Sequence, residues 1–387
     1  MELVDLSVPF LRSRRNAKWQ RFGADVIPAW VAEMDFAIAP PIAEALARIE
    51  REQDFGYPSY AETDIALAKV FSQRMKERFG WDAAPAQVLC VSDLVQASFA
   101  SVMAFSDPGE TVLLQTPAYP PFRDAILKTG RRLTPHSLRD DGERFVFDVE
   151  ALAAAIDERS RVMIFCHPHN PTGRVYDRAE LEAIAELAIA RDLIVVSDEI
   201  HADLVYPGRQ HIPLAKISAE IAARTVTITS ATKSFNMPGL RCGLMHFGSK
   251  ALQERFEARI PPMLLGHPSI NGFDATHAAW TKCQPWLDGL MVHLTANRDH
   301  LVSTIRSEWP EARIYCPEAT FLSWIDFSAL ELPPTPFQFF LEKARVGLSA
   351  GDTFDAASRD FGRLNFATSR AILDEILGRM IEAVRKR

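Results

Sequence analysis

The sequence predicts an α/β protein with a large domain on a mostly parallel sheet and a second, smaller α+β domain. Three observations carry this. Between about residues 85 and 250, short apolar runs alternate with segments of helical periodicity. Those runs are apolar throughout, the pattern of strands covered by helices on both faces. Finally, Ser92, Tyr119, Asn170, Asp198 and Ser230 each follow such a run. That is where ligands bind in open α/β sheets, beyond the carboxyl ends of the strands.

Taken in order, the first 45 or so residues hold IPAWVAEMDFAIAPP, too rich in proline for one element. They read as an arm lying on another surface. QVLCVS (87–92) predicts a strand feeding the helical VQASFASVMAF, and ETVLLQTP (110–117) and RVMIFCHP (161–168) are the next strands. RAELEAIAELAIARD (178–192) is a strongly periodic helix leading into the strand LIVVSDE (193–199), with TVTITS and CGLMHFG following. Near residue 285 the pattern changes. A long helix is expected over 285–307, strands in RIYCPEATFLSWIDFS, a helix in FQFFLEKARVGLSA and a closing helix in AILDEILGRMIEAVRK. The chain therefore divides into 1–45, an arm counted with the small domain, 46–284, the large domain, and 285–387, the small domain.

The bulk properties exclude several classes. The chain has 387 residues, 48% apolar and 24% charged, with a net charge of −7, an ordinary globular balance. It has no basic stripe, so nucleic acid is not an expected partner. It has no apolar run near the ~18 residues a membrane span requires. MELVDLSVPFLRSRR places its basic residues after its apolar ones, the wrong order for a signal peptide. The five cysteines are far apart and none form C-x-x-C, so neither a disulfide framework nor a zinc site is expected, and a reducing cytoplasm is. His167 and His169 flank a proline without a third ligand nearby, so no metal is expected.

The remaining motifs are individually ambiguous. Lys233 in TVTITSATKSFN is an amine at the end of a core strand, either a loop residue or a group that forms an imine. Asp198 in LIVVSDEIHADL would be costly there unless paired, though aspartate also caps helices. His201 beside it could be a core histidine. Asn170 in HPHNPTGR marks a turn. Tyr119 in TPAYPPF sits in a rigid loop, where an aromatic can stack on a flat ligand or simply pack. VSDLVQAS is a strand-to-helix turn whose amides suit a phosphate, but it lacks a glycine-rich signature. Ser230 and Arg241 flank Lys233 with a hydroxyl and a guanidinium, groups that hold phosphate. Jointly these residues match one requirement: an imine-forming lysine, a carboxylate for a ring nitrogen, a phosphate cradle and a stacking group, the set that pyridoxal 5'-phosphate needs.

In this order, TPAYPPF, HNPTGR, SDEIHADL, SATKSFNMPGLRCG and RLNFATSR resemble the aspartate-aminotransferase fold of pyridoxal-phosphate enzymes. AWVAEMDF, FGYP, HPHNPTG, SDEIH and KSFN resemble its cystathionine β-lyase group of the MalY/PatB type, within the class I/II aminotransferase superfamily. The resemblance implies a large domain with a seven-stranded, mostly parallel sheet that binds the cofactor. It also implies roles. Lys233 would be the cofactor-linked lysine and the acid/base, and Asp198 the partner of the ring nitrogen. Asn170 would touch the cofactor and the substrate carboxylate, Tyr119 stack on the ring, and His201 lie near the phenolic oxygen. Ser230, Arg241 and the amides near Leu94 and Val95 would hold the phosphate. Tyr57 would reach the phosphate of a neighbouring subunit, implying a homodimer. Arg370 would grip the substrate α-carboxylate, with Arg363 left as a supporting residue. Three positions depart from the family pattern: Asp93 in a turn where glycine is common, Asp355 in the loop before the arginine segment, and Glu33 where aspartate is usual. The implied activity is carbon–sulfur β-lysis of L-cystathionine or a related cysteine S-conjugate. The alternatives are an aminotransferase and a regulatory or binding protein that retains the cofactor.

Overall fold

The computed structural model describes residues 3–387. Seven strands form the main sheet: β1 (Val88–Val91), β2 (Thr111–Thr116), β3 (Arg132–Ser137), β4 (Ser160–Cys166), β5 (Ile194–Asp198), β6 (Thr225–Thr229) and β7 (Gly243–Phe247). Their spatial order is β1-β7-β6-β5-β4-β2-β3. Neighbouring pairs from β3 through β6 are parallel, whereas β7 runs antiparallel to both β6 and β1. The apolar runs face both ways. In β4, Val162 and Ile164 join one core with Ala97 and Phe122, while Met163 and Phe165 join another with Leu181 and Ile184. This two-sided burial is why the strands lack polar alternation.

Helices cover both faces. Those that matter below are α1 (Pro40–Glu52), α2 (Tyr60–Phe79), α3 (Leu94–Phe105), α4 (Pro120–Leu127), α5 (Arg178–Ala190), α6 (Ile270–Lys282), α7 (Gln284–Glu308) and α8 (Arg370–Arg385). Local chemistry sets their ends. Asp177 and Glu180 form a reciprocal capping box at the start of α5. Gly80 closes α2 at a left-handed φ of 61°, a conformation that costs glycine little. Among the described residues, no helix is long and apolar enough to cross a membrane.

A second sheet contains β8 (Arg313–Ile314), β9 (Leu322–Asp326), β10 (Ser349–Ala350) and β11 (Phe361–Asn365), in the order β8-β9-β11-β10. The N-terminal arm forms a separate two-stranded sheet, in which Ile27 and Pro28 pair in parallel with Val346 and Gly347. The arm also bonds to the large domain, where Asn236 Nδ2 donates to the carbonyls of Met34 and Phe36.

The structure corrects one expected element. FQFFLEKARVGLSA is not a single helix. Pro336–Phe339 is α-helical and Phe340–Ala344 is one π-helical turn, after which the chain becomes strand. Arg345 takes a left-handed φ of 55°. A side chain at Gly347 would meet the Phe22 ring at 2.3 Å. Close docking of the arm therefore overrides the helical pattern here.

Candidate active site

The carboxyl ends of β4, β5 and β6 open into one cavity that gathers residues from distant parts of the sequence. Its lining includes Asn170, Asp198, His201, Ser230, Lys233, Arg241, Tyr119, Leu94 and Val95. Each of these is expected at the site from the sequence. The lining also includes Val31, Ala32, Phe122, Ile200, Thr232, Pro238, Cys242 and Arg363.

Lys233 follows β6, and its Nζ donates to the Ala32 carbonyl at 2.8 Å. Burial lowers its pKa to about 8; the nearby Arg363 guanidinium acts in the same direction, and the carboxylates of Glu33 and Asp198 oppose it. Asp198 ends β5 and is buried. Its Oδ1 accepts from Ile200 N at 3.1 Å. Burial raises its pKa to about 7, with Glu199 adding to the rise and the Ile200 amide and Lys233 opposing it. Among the described residues it makes no ion pair. A buried carboxylate in this state gains most from a cationic N–H partner. His201 is also buried, and burial holds its pKa down at about 3, so its ring is neutral. Its Nδ1 has no hydrogen-bond partner among the described residues.

At the opposite wall, Arg363 projects inward from β11 and is 5% exposed. Nη1 donates to Asn170 Oδ1 at 2.8 Å, and Nη2 donates to Trp30 O at 2.8 Å and to Ser349 Oγ at 3.3 Å. The Phe354 ring lies 4.7 Å from the guanidinium carbon. Nε has no partner among the described residues. All these neighbours are neutral, and burial lowers the pKa to about 10, still far above neutrality. A buried, fully charged fork without a counter-ion is suited to a carboxylate.

The expected role of Arg370 is therefore corrected. Arg370 opens α8, behind the Ser369 cap. Its Nη2 donates to Ala296 O of α7 at 2.7 Å, and it does not line the cavity. Strand alternation turns Arg363 and Asn365 to the same side, whereas α8 begins only after the chain has left β11.

The remaining polar groups cluster where α3 starts. Leu94 and Val95 supply helix-start amides that have no intrahelical acceptor. Ser230 Oγ donates to Cys242 O at 2.6 Å and accepts from Thr232 N at 3.1 Å. Arg241 meets the carboxylate of Asp93. Tyr119 stands at the N-cap position of α4 without a capping bond, and burial raises its phenol pKa. Tyr57 lies outside this chain's cavity and is 94% exposed. Glu33 lies in the arm and accepts from Asn16 Nδ2 at 2.9 Å, and Asp355 caps a short turn through Ala357 N.

A family model described as aminotransferase class I and II matches residues 31–380. The chain belongs to the class I and II aminotransferase family. Within this family it is 32% identical to cystathionine beta-lyase PatB of Bacillus subtilis, with 96% of this chain and 97% of PatB covered. It is 31% identical to a cystathionine beta-lyase of Corynebacterium glutamicum, covering 96% and 97%. Among solved structures, cystalysin from Treponema denticola, which contains pyridoxal 5'-phosphate, superposes with a TM-score of 0.92 at 29% identity, covering 99% and 98%.

The residues that line the cavity fit this cofactor. Lys233 is an amine with a depressed pKa, Asp198 a buried carboxylate without a cation, and His201 an orphaned ring nitrogen beside them. A helix start and hydroxyls stand at the far end.

Proposed function

We propose that this protein is a pyridoxal-phosphate-dependent carbon–sulfur β-lyase that cleaves L-cystathionine or a related cysteine S-conjugate to a thiol, pyruvate and ammonia. The observation that carries the reading is the placement of Lys233, Asp198 and the counter-ion-free Arg363 around one cavity. The lyase names of its full-length relatives favour β-lysis within that chemistry.

When bound, the cofactor supplies an electron sink at the substrate's α-carbon. Asp198 would pair with the ring nitrogen and keep it protonated, and Tyr119 would cover the ring face. Arg363, steadied by Asn170, binds the α-carboxylate and so aims the Cα–H bond at Lys233. A pKa of about 8 leaves part of the Lys233 amine neutral near physiological pH, ready to take that proton onto Nζ. The electron pair left at Cα forms the Cα–Cβ double bond and expels sulfur as a thiolate. Water then completes the release of pyruvate and ammonia.

The protein should act as a homodimer in the cytoplasm. Tyr57 cannot serve its own cavity from its exposed position, but it can serve a partner's. All five cysteines are free thiols, in keeping with a reducing compartment.

Incubation with L-cystathionine should release pyruvate and free thiol without any 2-oxo acid. Product that appears only with a 2-oxo acid would replace this reading with transamination. Cofactor retention without turnover under either condition would favour a binding role.

A further inference from the structure

Asp93 stands where the phosphate end of the cavity opens. Its backbone is extended, and Oδ1 caps α3 by accepting from Gln96 N at 2.9 Å. Its Oδ2 contacts Arg241 Nη1. Arg241 reaches this position from a left-handed φ of 53°. A helix-start amide and a guanidinium are the two kinds of donor that recognise a phosphate ester. The carboxylate thus engages Arg241, a group that the ligand's phosphate would use, beside the Leu94 and Val95 amides. The other polar groups at this end, the Leu94 and Val95 amides and the Ser230 and Thr232 hydroxyls, are neutral. Arg241 is then the one cation there among the described lining residues, and Asp93 cancels it. The Asp93 side chain is 25% exposed and that of Arg241 65%, so water and salt weaken this competition without removing it.

We propose that Asp93 is a built-in competitor for the cofactor's phosphate. It occupies Arg241 in the cofactor-free chain and repels the phosphate dianion, so this protein holds pyridoxal 5'-phosphate more loosely than it would with a neutral residue at this position. The inference rests on the cofactor assignment above and deepens it.

Asp93→Asn tests it, because asparagine keeps the volume and the capping ability and removes only the charge. Cofactor-free wild type and D93N are titrated with pyridoxal 5'-phosphate and, separately, with pyridoxal, which has no phosphate. The lysine–cofactor absorbance band reports binding. D93N should tighten binding of the phosphate ester by at least about tenfold, leave pyridoxal within about twofold, and lose most of its advantage at roughly 0.5 M salt. Equal or weaker binding of the phosphate ester overturns the proposal. So does an equal gain for pyridoxal, which would show a change in pocket shape. Uptake of the cofactor by neither protein overturns both this inference and the assignment beneath it, whereas uptake without a difference overturns this inference alone.

Discussion

Arg363 and Arg370 show what a single residue's surroundings decide. Both stand in RLNFATSR or at its edge, and both are arginines, so residue type cannot separate them. Burial and partners do: one guanidinium is enclosed among neutral acceptors, the other bonds an exposed helix carbonyl. Arg363→Lys should therefore lower kcat/KM by about 10- to 100-fold, mostly through KM, because a fork with two charge-assisted bonds is lost. Arg370→Ala should stay within about twofold in the same steady-state assay. Asp198 yields a prediction with a sign. Its pKa rises from an ordinary 3.8 to about 7 in the fold. Between about pH 4 and 7 the folded chain keeps a proton that the unfolded chain has released, so stability falls as pH rises through that window. Above pH 7 the full cost is present, at about 1.4 kcal/mol for every tenfold difference in acidity between the two states. Asp198→Asn should then raise the melting temperature of the cofactor-free protein at pH 8, with a smaller gain at pH 5, while abolishing turnover. Equal gains at both pH values would remove the buried charge as the cause.

The strands and long helices of the large domain were legible because their signals are local. TVTIT is β-branched throughout, and Asp177 with Glu180 announces a helix start. β3 was not visible: RLTPHS is largely polar and half-exposed at the sheet edge, so no apolar run marks it. The arm's contribution was equally hidden. Ala32 reaches Lys233 through a backbone carbonyl, which no residue type can signal. The arm is held by a buried ion pair, in which Lys18 Nζ bonds Asp35 Oδ2 at 2.6 Å while Trp19 Nε1 bonds Oδ1 at 2.7 Å. Lys18→Met should cost about 3–5 kcal/mol in urea unfolding, because it strands the Asp35 charge. The segment after β10 is a second joint. Phe354 places its ring on Arg363, and its carbonyl accepts from Ala118 N at 3.0 Å, next to Tyr119. Phe354→Leu should raise KM about fivefold with little change in kcat, as expected for about 1 kcal/mol of cation–π contact.

At the scale of the whole molecule, the change in apolar rhythm near residue 285 falls between the main sheet and the second one, but no pattern marks the cavity between them. Its walls come from the arm, the main sheet and β11, and only a three-dimensional arrangement shows that Trp30, Asn170 and Arg363 meet. The proposed homodimer rests on Tyr57 and on exposed apolar side chains near it. Phe55, Tyr57, Ile65 and Leu264 are all more than half exposed, which a partner surface would cover. A sedimentation mass of twice 43.3 kDa is expected. Tyr57→Phe should weaken retention of the cofactor without changing that mass. A fully active monomer would remove Tyr57 from the site.

The bonds that close the cavity also fix a timetable for biosynthesis. Arg363 donates to Trp30 O, and Asn365 Nδ2 donates to the carbonyls of Val31 and Glu33. On the ribosome, the arm must therefore wait for a segment made 333 residues later. Until β11 leaves the exit tunnel, residues 29–36 lack these partners, however completely the main sheet has formed. A nascent chain halted before residue 361 should carry a nearly finished main sheet and an arm open to protease, and the catalytic cavity would close only once β11 has emerged.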